Sequence, residues 1–99
     1  MCGIIGINSS RPVSSTIINS LKKLEYRGYD SAGIATLSNN EINEVKSEGR
    51  VDNLENNLLV QKMEGTIGIG HVRWATHGLP NSINAHPHSS QNVSVVHNG

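Results

Sequence analysis

Small and β-branched residues dominate positions 2–8, "CGIIGIN", and predict a well-buried strand. "NSSRP" then turns the chain. From about Ser14 to Tyr26, the apolar residues Ile17, Ile18, Leu21 and Leu24 recur at helical spacing. Ser14 or Ser15 suits the cap of that helix, and Gly28 lies just past its end. "AGIATLS" predicts a strand, "NN" a turn, and "EINEVKS" a second strand carrying Ile42 and Val45, so the three together predict a hairpin. Val51, Leu54, Leu58 and Leu59 mark a shorter helix, and "TIGIGHVR" predicts another strand. Residues 74–92, rich in His, Pro, Asn and Ser, read as loop, and "VSVVH" as a last strand.

The order β-α-β-β-α-β-β places helices against a mostly antiparallel sheet, which is an α+β arrangement. No repeat, low-complexity tract or linker interrupts it. The chain stops at Asn98-Gly99, a dipeptide that ordinarily turns one strand into the next. The expectation is therefore part of a longer domain.

Eight basic residues balance eight acidic ones, and "LKKLEYRG" is a single cation-rich turn. No nucleic-acid partner is expected from that. The apolar runs are too short for a membrane span, and "GIIGI" is too short for a secretory core. One cysteine cannot build an internal disulfide framework, so a cytoplasmic protein is expected. Hydrophobic residues make up 35% and aromatics 3%, with ten glycines and no Phe. So little apolar material makes a thin core, and the 99 residues by themselves are expected to fold poorly and to lack useful activity.

The one cysteine, Cys2, directly follows Met1. A thiol attacks only as thiolate, so something must take its proton. If Met1 is removed, the α-amino group of Cys2 itself can do so, since such amines titrate near neutral pH. The alternatives are a small apolar strand residue or a lipid attachment point, and no polybasic segment supports the latter. His71, His86, His88 and His97, with Cys2 as a fifth ligand, raise the question of a metal. His86-x-His88 lacks paired-ligand spacing and no cysteine cluster accompanies it, so no metal is expected. "NAHPH" instead predicts an ordered loop whose histidines bond to the backbone.

"MCGIIGI", "LEYRGYDSAGIA", "GIGHVRWATHG", "NAHPH" and "VVHNG", in this order, resemble the glutaminase domain of the glutamine–fructose-6-phosphate aminotransferases. The resemblance spans nearly the whole chain. It implies an N-terminal-nucleophile fold, an αββα four-layer sandwich that residues 1–99 cover only in part. It implies L-glutamine as substrate, no cofactor, and Cys2 as the nucleophile that forms a glutamyl thioester. The oxyanion donors would be the Asn98 side chain and the Gly99 N–H. Arg73 would hold the glutamine α-carboxylate, with a surface arginine as the plain alternative. Trp74, Thr76 and His77 would belong to the loop over bound glutamine, Trp74 gating ammonia transfer or else filling a poor core. Arg27 would pack beside the nucleophile, or pair with Asp30, and His86 would support the site. The aspartate that binds the substrate amino group in the family falls beyond residue 99. So does the isomerase domain that would take fructose 6-phosphate, and the full-length enzyme is expected to be a homo-oligomer. Two rivals are the phosphoribosyl-diphosphate amidotransferases, against which "EYRGYDSAG" argues, and a non-catalytic fragment.

Overall fold

The structure is a computed structural model that describes residues 2–74, Leu79 and residues 81–97. Strand β1 spans Gly3–Asn8, helix α1 Ser14–Leu24, β2 Ser31–Ser38, β3 Glu41–Glu48, α2 Val51–Glu55, α3 Leu58–Gln61 and β4 Ile67–Arg73. Two short strands follow, β5 at His88–Ser89 and β6 at Ser94–Val95. The main sheet has the order β1-β4-β2-β3 and every pairing in it is antiparallel.

The predicted hairpin is present as β2–β3, with Ser38 opposite Glu41. Asn39 and Asn40 turn it at φ 52° and 64°. Asparagine tolerates this left-handed backbone better than most residues, which is why "NN" works as a two-residue turn.

Helix α1 lies across β4 and β1. Val13, Ile17, Ile18 and Leu21 join Ala32, Ile34, Val45, Val51, Leu54, Val60 and Val72 in one buried cluster. The helix can approach so closely because β4 presents Gly68 and Gly70 to it. A Cβ at Gly70 would sit 2.6 Å from Ile17 Cγ2. An ion pair of Lys22 with Glu55, at 2.6 Å, ties α1 to α2.

Four details differ from the sequence reading. Neither Ser14 nor Ser15 caps α1. Val13 is the N-cap residue and its N–H donates to the Gly65 carbonyl at 3.0 Å, while the Ser14 hydroxyl donates to the Met63 carbonyl at 3.5 Å. The second helix is two short ones. Asn57 breaks the run by accepting the Leu59 N–H at 2.8 Å, a side-chain bond that competes with helix continuation. The break shifts the phase, so Val60 is buried while Leu58 and Leu59 point outward. The last strand is only β6, and it pairs with β5 in a separate ribbon, Ser89 against Ser94, rather than with the sheet. Finally, β1 is buried on one side only. Gly3 is buried and Ile5 and Ile7 are half-buried, while Ile4, Gly6 and Asn8 are exposed. Among the described residues, no helix is long and apolar enough to cross a membrane.

Candidate active site

Of the residues singled out from the motifs, Cys2, Arg27, Arg73 and Trp74 gather at one end of the sheet. β1 begins at Gly3 opposite Val72, and β2 begins at Ser31 opposite Arg73. Cys2 therefore enters β1 beside the last residue of β4. It is buried. The Arg27 Nε donates to the Cys2 carbonyl at 2.8 Å. Cys2, Gly3, Ile4, Leu24 and Arg27 line a cleft of about 240 Å³. Arg27 reaches it because the helical path tightens into a single turn over Glu25–Arg27 and then stops.

Gly28 explains the stop. A Cβ there would lie 2.6 Å from the carbonyl carbon of Arg73 and 2.7 Å from the Trp74 nitrogen. Backbone atoms cannot step aside as a side chain can, so glycine lets the "YRGYD" turn lie flat against the end of β4. The Asp30 N–H completes the join by donating to the Arg73 carbonyl at 3.2 Å.

Arg73 is not the surface arginine its strand-end position would allow; it is 8% exposed. Its guanidinium donates to the Leu79 carbonyl at 3.0 Å and lies 3.9 Å from the Asp30 carboxylate. A guanidinium carries its N–H donors in a planar fork, so these contacts fix its plane as well as its position. Trp74 does not fill the core. It is 48% exposed and meets Tyr29 edge-on, with centroids 6.0 Å apart. Arg50 lies 4.6 Å over the other ring of this pair, Tyr29, and 3.5 Å from Glu25. Motif reading passed over Tyr29 and Arg50. Tyr29 stood inside "YRGYDS", but nothing in sequence spacing links Arg50 to it.

Thr76, His77, Asn98 and Gly99 lie outside the described residues, as does Met1.

The histidines form a stack on the face of the sheet opposite α1. His71, on β4, is fully buried and its Nε2 lies 2.7 Å from the His97 carbonyl oxygen. His86 stacks on it with centroids 4.2 Å apart and planes 20° from parallel, and His88 follows at 4.5 Å. The loop seats here because β2 offers Gly33, whose missing side chain leaves room for the His86 carbonyl. The backbone bonding expected of the "NAHPH" histidines is not what seats His86: its Nδ1 is buried without a hydrogen-bond partner and its ring stacks on His71, and the ring-to-backbone bond belongs to His71 on β4. Burial is the main force lowering the pKa of both; His86 falls to about 4, with His71 and His88 adding to the effect. Among the described residues, no group of three or more His, Cys, Asp or Glu side chains is arranged to hold a metal ion.

No protein-family model matches the chain. Over its whole length it is 56% identical to the glutamine–fructose-6-phosphate aminotransferase of Mesorhizobium japonicum, of which it covers 16%. It is 55% identical to the enzyme of the same name from Clostridium acetobutylicum, covering 17% of that protein. The chain thus spans about 16% of the length of the curated relatives it matches. Among solved structures it is similar to the glutamine phosphoribosylpyrophosphate amidotransferase of B. subtilis complexed with ADP and GMP. The TM-score is 0.74 at 25% identity, over 95% of this chain and 20% of that one. A second similar structure is an allosteric regulatory enzyme of purine biosynthesis, with TM-score 0.76 and 28% identity over 88% and 18% of the two chains. The shared fold is that of the N-terminal-nucleophile amidotransferases, carried here in part. Identity separates the two branches, twice as high toward the aminotransferases as toward the phosphoribosyl enzymes. With 56% identity over the full chain and the amidotransferase fold in agreement, the chain belongs to the glutamine–fructose-6-phosphate aminotransferase family, matching the N-terminal part of its members.

Proposed function

We propose that this segment carries the nucleophile of the glutaminase half of an enzyme making glucosamine 6-phosphate from fructose 6-phosphate and glutamine. The observation that carries the reading is the placement of Cys2. It is the first residue after Met1, and it is buried at the sheet end beside Arg27, in a chain 56% identical to a named aminotransferase. Removal of Met1 frees the Cys2 amine as general base. The thiol gives up its proton to that amine, and sulfur attacks the side-chain carbonyl carbon of glutamine. The resulting oxyanion collapses, the C–N bond breaks, and the nitrogen takes the proton and leaves as ammonia. Water then attacks the thioester, releasing glutamate and restoring the thiol.

Asn98 and Gly99 supply the oxyanion donors in this reading, a role worth roughly 3–4 kcal/mol where single donors have been removed from a protease. Arg73 binds the α-carboxylate, and Trp74, Thr76 and His77 cover the substrate. A single thiol with no disulfide framework supports a cytoplasmic setting. The sugar phosphate is handled by sequence beyond residue 99.

The test is to treat the full-length protein with an electrophilic glutamine analogue and map the adduct by mass spectrometry. A single adduct on Cys2, with Met1 absent and activity abolished in Cys2→Ala, is the expected result. An adduct on another residue, or turnover surviving Cys2→Ala, overturns the assignment.

A further inference from the structure

His71 is fully buried, yet no step of the proposed reaction uses it. It sits on β4 two residues before Arg73, on the sheet face that the 81–97 loop covers. Its Nε2 lies 2.7 Å from the carbonyl oxygen of His97. A carbonyl oxygen only accepts, so Nε2 carries the hydrogen and His71 donates. The ring is thereby fixed as one tautomer. Its Nδ1 is buried with no hydrogen-bond partner. The His86 ring stacks on the His71 ring with centroids 4.2 Å apart. A buried imidazole with only one nitrogen satisfied costs stability, since an unpaired buried acceptor forfeits its hydration. A leucine or phenylalanine would pack there without that loss. What an imidazole adds is the single directed N–H.

That N–H ends on the residue to which Asn98 is joined. We infer that His71 is a positioning residue: its Nε2–H pins the His97 carbonyl, the point from which the chain continues into Asn98 and Gly99, to the central strand β4 of the sheet. This rests on the reading that Asn98 and Gly99 stabilise the oxyanion. β6 ends at Val95 and belongs to the two-residue ribbon rather than the sheet, so the backbone ladder gives His97 no such anchor. The side chain supplies what the ladder does not. A donor must be preset at the oxyanion to act on it, so loosening the segment that bears one lowers turnover more than substrate binding.

Two amides separate this role from plain packing. Gln places its NH₂ near the position of Nε2, and Asn near that of Nδ1. In the full-length enzyme, His71→Gln should keep the glutaminase kcat within about threefold of the parent. His71→Asn should lose about tenfold or more in kcat, a fraction of the roughly 10²–10³ seen when an oxyanion donor is deleted outright. The KM for glutamine should change less than about threefold in both. Alkylation of Cys2 by iodoacetamide, which builds no oxyanion, should run at the parent rate in both. Equal losses in the two variants, a rise in KM matching the fall in kcat, or slowed alkylation each overturn the inference. If His71→Asn does not fold, His71→Gln decides alone: parent-like turnover upholds the role and a tenfold loss refutes it. A parent enzyme without glutaminase activity would instead refute the underlying function, so the two failures are distinguishable.

Discussion

At the scale of single residues, the stacked pair His71 and His86 makes the segment sensitive to acid. Burial lowers both pKa values, and that of His86 reaches about 4. Arg73 and His88 disfavour a charge on either ring, and His97 adds to this at His86, while Asp30 and the bond to the His97 carbonyl favour one at His71. The folded-state values lie below the unfolded value near 6.5, so the neutral pair stabilises the fold above that pH. The contribution is lost as pH falls toward about 4. A His86→Phe variant keeps the ring contact but cannot take up the proton. It should therefore gain stability relative to the parent between pH 6.5 and pH 4.5, read from urea midpoints at each pH. A constant gap between the two proteins would show that His86 does not titrate as its burial dictates. Arg73 gives a second expectation at this scale. Arg73→Lys keeps the charge but loses the planar fork that meets a carboxylate with two bonds. The KM for glutamine in the full-length enzyme should rise by about tenfold, with the circular dichroism spectrum unchanged. An unchanged KM would mean that Arg73 acts structurally, as in its contacts with Leu79 and Asp30.

Between elements, the contact that seats the 81–97 loop on the sheet is the narrowest. A Cβ at Gly33 would come 2.0 Å from the His86 carbonyl oxygen and 2.9 Å from Pro87 Cδ. Overpacking of this kind typically costs about 1–3 kcal/mol, and here it falls on backbone that cannot rotate away. Gly33→Ala should therefore lift the loop while leaving the β2–β3 hairpin paired. Hydrogen exchange checks this: amides in 81–97 should lose protection and those of β3 should not. Equal protection in parent and variant would mean the loop is seated elsewhere. α1 offers the complementary case of apolar packing. Leu21 is fully buried among Ile17, Val72 and their neighbours. Leu21→Ala should cost about 2–5 kcal/mol in denaturant unfolding, the usual range for a large-to-small change in a core. A cost below 1 kcal/mol would show that α1 is not held by this face.

Taken whole, the sheet has one fully dressed face and one partly dressed. α1, α2 and α3 cover the first with an apolar cluster. On the second, the 81–97 loop lies over His71 and Gly33, and its Gln91, Asn92 and Ser94 border a cleft at the other end, where Leu37 and Ile67, opposite each other in register, remain 41% and 43% exposed. Adjacent exposed apolar residues of this size mark a surface that another layer would bury. The 99-residue chain should therefore bind a hydrophobic dye such as ANS, and Ile67→Thr combined with Leu37→Thr should reduce the fluorescence. No dye response, or one indifferent to both substitutions, would show that this face is closed by the chain itself.

The local elements were legible because their causes are local. Ile17, Ile18 and Leu21 at helical spacing, paired left-handed asparagines at 39–40 and alternating residues in β3 each state their own geometry. The break at Asn57 was missed because its side-chain bond competes with a periodic apolar signal that looks continuous. Cys2, Arg27, Arg73 and Trp74 were marked by the short motifs that carry the family resemblance, which are stretches of contiguous sequence. What only the tertiary structure decided was which of these groups meet. The stack of His86 on His71, the bond to the His97 carbonyl, the reach of Arg50 to Tyr29 and the burial of Arg73 all join residues far apart in the chain or on different elements. Such contacts follow from strand register and from the room left by glycine, and both are properties of the packed sheet rather than of any stretch of sequence.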